Sequence, residues 1–259
     1  LWGAGCATPG PGFDGERYRV PGHPSTVEAP GGEGAQWRLA DVPGAALTFR
    51  GEADTTAAQA SMSLLERCAG TPGRPRVAAR QLLIGLAPAA HGGNRTGRVF
   101  TGDNPGGSGE LLFEALHRAG YSARPRSLGP SDGLMLEDAY IAAVNRCAPP
   151  ANRPTTQERD ACLPFLEREL RLLTSVRVIL ALGGYAWDAA LRVLAREGHK
   201  ARPKPKFGHG AKAEVGPYIL LGCYHPSQQN TFTGRLTMAM LDDVLAQARA
   251  RSGASTTAG

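Results

Sequence analysis

The apolar positions of this chain gather into short unbroken runs separated by longer stretches of mixed character. Residues 81–86, 140–144, 176–182 and 218–223 are such runs. Their length suits strands buried on both faces. Between and after them the apolar residues recur every three to four positions, over 109–119, 155–173, 185–196 and 234–251, which predicts amphipathic helices. The helix over 155–173 has Thr155 or Thr156 as its N-cap and acidic residues in its first turn. Strands alternating with helices predict an α/β fold with a mainly parallel sheet covered on both faces. In such sheets ligands bind outside the carboxyl ends of the strands, so the loops after each strand are where chemistry is expected.

The first eighty residues follow a different pattern. Breakers such as Pro9-Gly10-Pro11-Gly12 and Ala29-Pro30-Gly31-Gly32 interrupt residues 1–55 before any period is established, and the stretch reads as loop or disorder. A short helix fits 56–68, and 70–80 is again rich in Pro and Arg. The expected organisation is an irregular Gly/Pro-rich arm over 1–80, a catalytic domain over 81–251 and a flexible tail over 252–259. There is no internal repeat.

Composition narrows the classes further. The chain has 259 residues with 42% hydrophobic content, enough for one sizeable core. No apolar run approaches the ~18 residues of a membrane span. Leu1-Trp2-Gly3-Ala4-Gly5 has no basic segment leading into an apolar one, so no signal peptide is read there. The five cysteines without an export signal fit a reducing, cytoplasmic setting and raise the question of metal or cluster ligation. The net charge is +6, and residues 1–80 carry eight acidic and eight basic side chains. The whole excess therefore lies in the body, which favours a polyanionic partner.

Three loops carry candidate chemistry. The first, opening after a strand, runs Gly85-Leu86-Ala87-Pro88-Ala89-Ala90-His91-Gly92-Gly93-Asn94-Arg95-Thr96-Gly97-Arg98-Val99-Phe100-Thr101-Gly102-Asp103. Glycines allow a backbone to approach a ligand closely, and arginines suit phosphates; read blindly, it is a phosphate- or nucleotide-binding loop, or else a flexible surface loop. The second is Asn145-Arg146-Cys147-Ala148-Pro149-Pro150-Ala151-Asn152-Arg153-Pro154. The third, Gly222-Cys223-Tyr224-His225-Pro226-Ser227-Gln228-Gln229-Asn230, sets a His on a Pro-stiffened turn among amides and a Ser. That His reads equally as structural or as catalytic. A basic segment, with Lys200, Arg202, Lys204, Lys206 and Lys212 interleaved with Pro203, Pro205, Phe207 and His209, suits a phosphate backbone; the alternative is a solvated surface loop.

Taken together, the loops resemble the motifs of family 5 uracil-DNA glycosylases. Gly85-Leu86-Ala87-Pro88-Ala89-Ala90-His91-Gly92, with Asn94-Arg95-Thr96-Gly97-Arg98 and Phe100-Thr101-Gly102-Asp103, is similar to the first motif. Arg146-Cys147-Ala148-Pro149-Pro150 is similar to the second. Cys223-Tyr224-His225-Pro226-Ser227-Gln228-Gln229-Asn230 with Phe232-Thr233-Gly234-Arg235 is similar to the third. The likeness covers about 81–251. The related family 4 has Glu where this chain has Leu86, which points to family 5.

The resemblance implies a three-layer α/β/α sandwich and a monofunctional enzyme that flips uracil out of DNA and hydrolyses its N-glycosidic bond. Hypoxanthine, xanthine and other deaminated bases are further substrates it admits. A base must leave the stack to be reached. On this reading Phe100 is the stacking platform, and His225 is the donor to the developing base oxyanion. Asp103 orients or deprotonates the water, or else is a turn residue in Gly102-Asp103-Asn104-Pro105. Asn145 and His91 are secondary polar groups. Gly85, Ala87, Asn94, Arg95, Ser227 and Gln228 are the remaining substrate contacts, and Lys204, Lys206 and Arg235 face the DNA. The partner is DNA bearing a deaminated base, no membrane is involved, and the protein is expected to be a monomer.

The family also implies a 4Fe–4S cluster on four cysteines. Cys147 and Cys162 match two of them and Cys68 a third, but Cys68 is followed by Ala69-Gly70-Thr71, so the partner at the expected spacing is missing. Cys6 is remote, and Cys223 sits in the third motif. Two other classes compete with the enzyme: a catalytically impaired DNA-binding member of the superfamily, and an α/β nucleotide-binding enzyme unrelated to repair. The second would show a phosphate-binding Gly-x-x-x-x-Gly-Lys-Ser/Thr loop, and this chain has none.

Overall fold

The computed structural model describes residues 17–19, 26–28, 40–42, 46–48, 79–89, 93, 99–101, 107–127, 134–146, 148–149 and 152–253. In the arm, β1 (Arg17–Arg19) pairs antiparallel with β2 (Thr26–Glu28), and β3 (Ala40–Val42) with β4 (Ala46–Thr48). These are short ribbons in a stretch where the Gly/Pro pattern predicts only loop.

The body is built on one five-stranded sheet. Strands β5 (Gln81–Gly85), β6 (Ala139–Ala143), β7 (Val178–Leu182) and β9 (Tyr218–Cys223) are parallel. They are the four runs that the apolar pattern marks as strands. A fifth strand, β8 (Lys212–Val215), joins β9 as an antiparallel edge. The sequence reading misses it because Lys212 and Glu214 are exposed, and charged side chains are how edges resist further pairing.

The strand order is β6-β5-β7-β9-β8. From β5 the chain crosses first to β6 on one side and then to β7 on the other, so the topological switch point lies between β5 and β7. A crevice opens there because the two loops leave in opposite directions.

Alternate residues along the strands point to opposite faces, and each face has its own core. Leu82, Ile84, Tyr140, Ala142, Ile179, Ala181 and Leu220 pack with Leu163, Leu166, Ala186 and Trp187. Those partners belong to α2 (Thr156–Leu172) and α3 (Gly184–Arg196). Leu83, Ile141, Leu180, Leu182 and Leu221 pack with Leu112, Leu116, Leu241 and Leu245, from α1 (Ser108–Arg118) and α5 (Met238–Arg251). Two helices on each face make the three-layer sandwich. The start of α2 is a capping box, in which Thr155 and Glu158 satisfy each other's backbone N–H groups.

The helix expected over 234–251 begins four residues later, and a short helix that the pattern does not predict precedes it. A short α4 (Gln228–Phe232) comes first, capped by Ser227, and α5 starts only at Met238 with Thr237 as its cap. Gly234, at φ +68, turns the chain out of α4; five residues are too few to establish an apolar period, so α4 is invisible to periodicity. No helix of the described residues is long and apolar enough to cross a membrane.

Candidate active site

The ends of β6, β5, β7 and β9 lie side by side on one edge of the sheet, and each delivers a candidate group. Gly85 closes β5, in register with Ala143 of β6. The Phe100 ring lies directly on Gly85: a Cβ there would be 2.9 Å from Phe100 Cε2 and Cζ. Only a residue without a side chain lets the ring settle at the strand end. Phe100 itself has φ +58, a left-handed conformation that costs a bulky residue energy and is held by its surroundings.

The second ring is His225, just past β9. Its centroid lies 5.8 Å from that of Phe100, with the planes 29° apart. The His225 carbonyl accepts from the Ser227 backbone N–H at 2.8 Å and from Asn230 Nδ2 at 2.8 Å, which fixes the turn that carries the ring. Gly183, following β7 with φ +105, lies against it, and a Cβ there would be 3.7 Å from that of His225. Burial lowers the His225 pKa to about 4, because a charged imidazole loses its hydration there. The ring is therefore neutral near pH 7, with one N–H to donate.

Asn145 follows β6 and is buried. Its backbone N–H donates to the Leu86 carbonyl at 2.9 Å, which sets it beside the start of the first loop. Its side-chain Oδ1 accepts from the Tyr185 hydroxyl at 2.7 Å. Tyr185 stands in the first turn of α3, after β7, so this bond spans the end of β5. Tyr185 is a site residue that the sequence reading misses. Its signal was present: Gly183-Gly184-Tyr185 is another post-strand turn, but the helical period of 185–196 absorbed it. The next residue after Asn145, Arg146, is buried and pairs with Glu169 of α2, Nη1 to Oε1 at 2.8 Å, while the Tyr140 hydroxyl donates to the same oxygen at 3.0 Å. This pair ties the loop after β6 to the helix behind it.

Other nominated residues take more modest places. Ala87 is half-buried beyond β5. Ser227 caps α4, its Oγ accepting from the Asn230 N–H at 3.4 Å, and Gln228 is exposed in the same turn. His91, Asn94, Arg95 and Asp103 lie outside the described residues, as do Cys68 and Cys147. Cys162 is buried on α2, and the described residues contain no group of three or more His, Cys, Asp or Glu able to hold a metal ion. Cys223 is a buried thiol whose pKa burial raises to about 12, unlike a ligand thiolate.

The basic segment is docked against the body. Trp187 Nε1 donates to the Pro205 carbonyl at 3.1 Å, and the Phe207 ring packs on Gly184 and Gly222 and 6.1 Å from Tyr224. Lys204 pairs with Asp188 at 2.6 Å. Lys206 and Arg235 are exposed, and the Arg235 guanidinium covers Tyr224, 4.6 Å from its centroid. Phe232 of α4 is 81% exposed, an unusual state for a Phe.

A family model of the Uracil DNA glycosylase superfamily matches residues 72–249. A Type-5 uracil-DNA glycosylase of Mycobacterium bovis is 53% identical over 182 residues, 70% of this chain and 64% of the relative. The aligned part thus spans just under two thirds of that relative's length. One from Thermus thermophilus is 49% identical over 70% of this chain and 80% of the relative. A Type-4 uracil-DNA glycosylase of Pyrobaculum aerophilum is less similar, at 32% over 60% of this chain and 70% of the relative. The chain belongs to the uracil DNA glycosylase superfamily, in its type-5 branch.

Proposed function

We propose that this protein is a monofunctional DNA glycosylase that extrudes uracil, and other deaminated bases, from DNA and hydrolyses the N-glycosidic bond to leave an abasic site. The observation that carries this reading is the stacked pair Phe100 and His225, 5.8 Å apart, at the switch-point edge of the sheet. A base slotted between two rings needs about 7 Å, two aromatic contact distances. An extruded base therefore lies on the free face of Phe100 with an edge toward the imidazole.

Cleavage breaks the C1′–N1 bond, and the base leaves with both electrons as an oxyanion. A donor fixed at that oxygen stabilises the charge as it forms. His225 suits the task as a neutral imidazole that gives a hydrogen bond and keeps its proton. The sugar is left cationic and takes a water, whose proton passes to a base or to solvent. Asp103 is the proposed orienting group for that water, and His91 a secondary polar group. Asn145 is proposed to meet the edge of the base. Gly85, Ala87, Asn94, Arg95, Ser227 and Gln228 complete the contact surface, and Lys206, Arg235 and Lys204 form a basic rim for phosphates. Phe232, exposed on α4 seven residues past His225, is placed to enter the gap that the extruded base leaves.

The 4Fe–4S cluster that the resemblance implies would draw on Cys162 with Cys147 and Cys68. No chemical step depends on it. With no fourth Cys at the family spacing, the purified protein should carry iron below four per chain by elemental analysis.

The deciding experiment incubates purified protein with a uracil-containing oligonucleotide, followed by alkali. Strand cleavage at the uracil supports the reading. Binding to abasic DNA without any turnover would replace it with the DNA-binding alternative.

A further inference from the structure

The ladder between β9 and its edge strand ends on a side chain. Backbone N–H groups along a strand point alternately to its two neighbours. The Ile219 N–H donates to the Arg177 carbonyl, just before β7, at 2.8 Å, and the Gly222 N–H donates to the Ala211 carbonyl, just before β8, at 2.8 Å. Two residues on, the Tyr224 N–H faces the same side as that of Gly222. The chain that would supply the next carbonyl has turned away from it. The Gly210 N–H donates back to the Gly222 carbonyl at 2.8 Å, and the Gly208 carbonyl lies so close to Gly222 that a side chain there would collide with it. An imidazole takes the vacant place in the ladder: the Tyr224 N–H donates to His209 Nδ1 at 3.3 Å.

A backbone N–H can only donate, so this ring nitrogen is the bare one and the proton sits on Nε2. Burial lowers the His209 pKa, against the Met240 backbone and Asp243, which raise it, and the balance favours the neutral ring. The ring also packs on Tyr224, with centroids 5.2 Å and planes 38° apart. The peptide unit held in this way is the one that leads into His225. Its carbonyl, that of Cys223, accepts the Gly183 N–H at 2.8 Å. One peptide plane is thus fixed at both ends, by the chain after β7 and by His209. The bonds from the Ser227 N–H and Asn230 Nδ2 fix the carbonyl beyond it, that of His225 itself.

We propose that His209 is a positioning residue for His225: its Nδ1 holds the Cys223–Tyr224 peptide, and through it sets where the His225 imidazole meets the oxygen of the leaving base. This rests on the glycosylase reading and deepens it. A donor stabilises a developing oxyanion only at hydrogen-bond distance, so a small displacement of the turn costs rate more than it costs binding. In the sequence His209 is interleaved with the lysines of a segment that suits a phosphate backbone. In the structure its ring is turned onto the third motif, which joins that segment to the turn carrying His225. Without an acceptor the half-buried Tyr224 N–H would be left unpaired, and the turn would shift to satisfy it.

Two variants separate the hydrogen bond from the ring packing. His209→Phe keeps a ring against Tyr224 and has no acceptor. His209→Asn gives up the ring but offers Oδ1 near the place of Nδ1. With protein in excess over a uracil oligonucleotide, single-turnover excision should fall about tenfold in His209→Phe, while affinity for abasic DNA stays within about twofold of wild type. His209→Asn should recover most of the rate. A His209→Phe rate within about twofold of wild type overturns the proposal. So does an equal loss in both variants, which would make packing the cause, or an equal fall of rate and affinity, which would make the loss one of binding. A second measurement needs neither variant nor DNA. Long-range proton–nitrogen correlation spectra of the free wild-type protein near neutral pH should show His209 protonated on Nε2 alone. A proton on Nδ1 overturns the proposal, even if His209→Phe does not fold. Failure of the glycosylase reading itself is seen separately, as wild-type protein that shows this tautomer and yet leaves the uracil oligonucleotide intact.

Discussion

Phe100 and His225 come from loops after two strands that are not neighbours, β5 and β9, yet their rings lie 5.8 Å apart and 29° from parallel. The strand between them, β7, is followed by Gly183, whose φ of +105 turns the chain beside His225. In the proposed mechanism one ring supplies a face for a base and the other an N–H at its edge. If this division of labour holds, Phe100→Ala should weaken capture of the extruded base, whereas His225→Ala should leave DNA binding nearly intact and lower the excision rate by ~10²–10³-fold. Single-turnover excision and a binding isotherm on the same oligonucleotide separate the two. Equal losses of rate and affinity in His225→Ala would make it a ground-state contact instead.

The pH dependence follows from the same residue. A free imidazole titrates near 6.5, but burial takes His225 down to about 4. Its neutral form is the one the site favours, so this contribution to stability is fully present above about pH 6.5 and is lost as pH falls through the window from 6.5 to 4. The excision rate should therefore run level through pH 6.5 and fall only as pH approaches 4. A rate profile that bends near 6.5, or an NMR titration placing the His225 ring there, would contradict the picture of a neutral donor.

The four parallel strands were legible because each is buried on both faces, and such strands announce themselves as unbroken apolar runs. β8 was not, since half of its four residues are charged and face solvent. α4 was hidden because five residues, Gln228–Phe232, are too short to show an apolar period. In the site, Asn145 and His225 were nominated from their position just after strands, and Phe100 from the long loop that follows β5. Tyr185 has the same position, but a helix begins one residue earlier and its period disguised the turn. Ser227, nominated as a substrate contact from its setting in the third motif, also caps α4 with its hydroxyl, which the motif does not reveal. Sequence pattern reports which residues leave a strand end; it does not report which of them bond to each other across the edge.

Gly85 should tolerate no side chain without a functional cost. A methyl group there would be 2.9 Å from two carbons of the Phe100 ring, closer than such contacts allow, so the ring must move. Its backbone has little room to follow, because a side chain at Gly109 would collide with the Phe100 carbonyl, so that carbonyl lies directly against the start of α1. Gly85→Ala should therefore tilt the platform and lower kcat/KM for uracil about 10- to 100-fold, as sub-ångström misplacement does. The melting temperature should change little. If Gly85→Ala has wild-type kinetics, or if its effect adds fully to that of Phe100→Ala, the ring is not the platform.

The Arg146–Glu169 pair lies one residue from Asn145, and both partners are buried. Its value to the site can be separated from its value to the fold. Glu169→Ala strands a guanidinium in the interior and removes the acceptor of the Tyr140 hydroxyl, so it should cost about 3–5 kcal/mol in urea denaturation. Replacing both partners by apolar residues of similar volume, as in Arg146→Met with Glu169→Leu, removes the stranded charge and should recover most of that loss. Activity should not recover in parallel. The methionine can fill the volume, but it cannot hold the loop in register on α2 through directed hydrogen bonds, and Asn145 depends on that register to stay within reach of Tyr185. A double variant with near wild-type stability and a lowered excision rate would show that the charges serve alignment. Full recovery of both would mean that packing alone sets the loop.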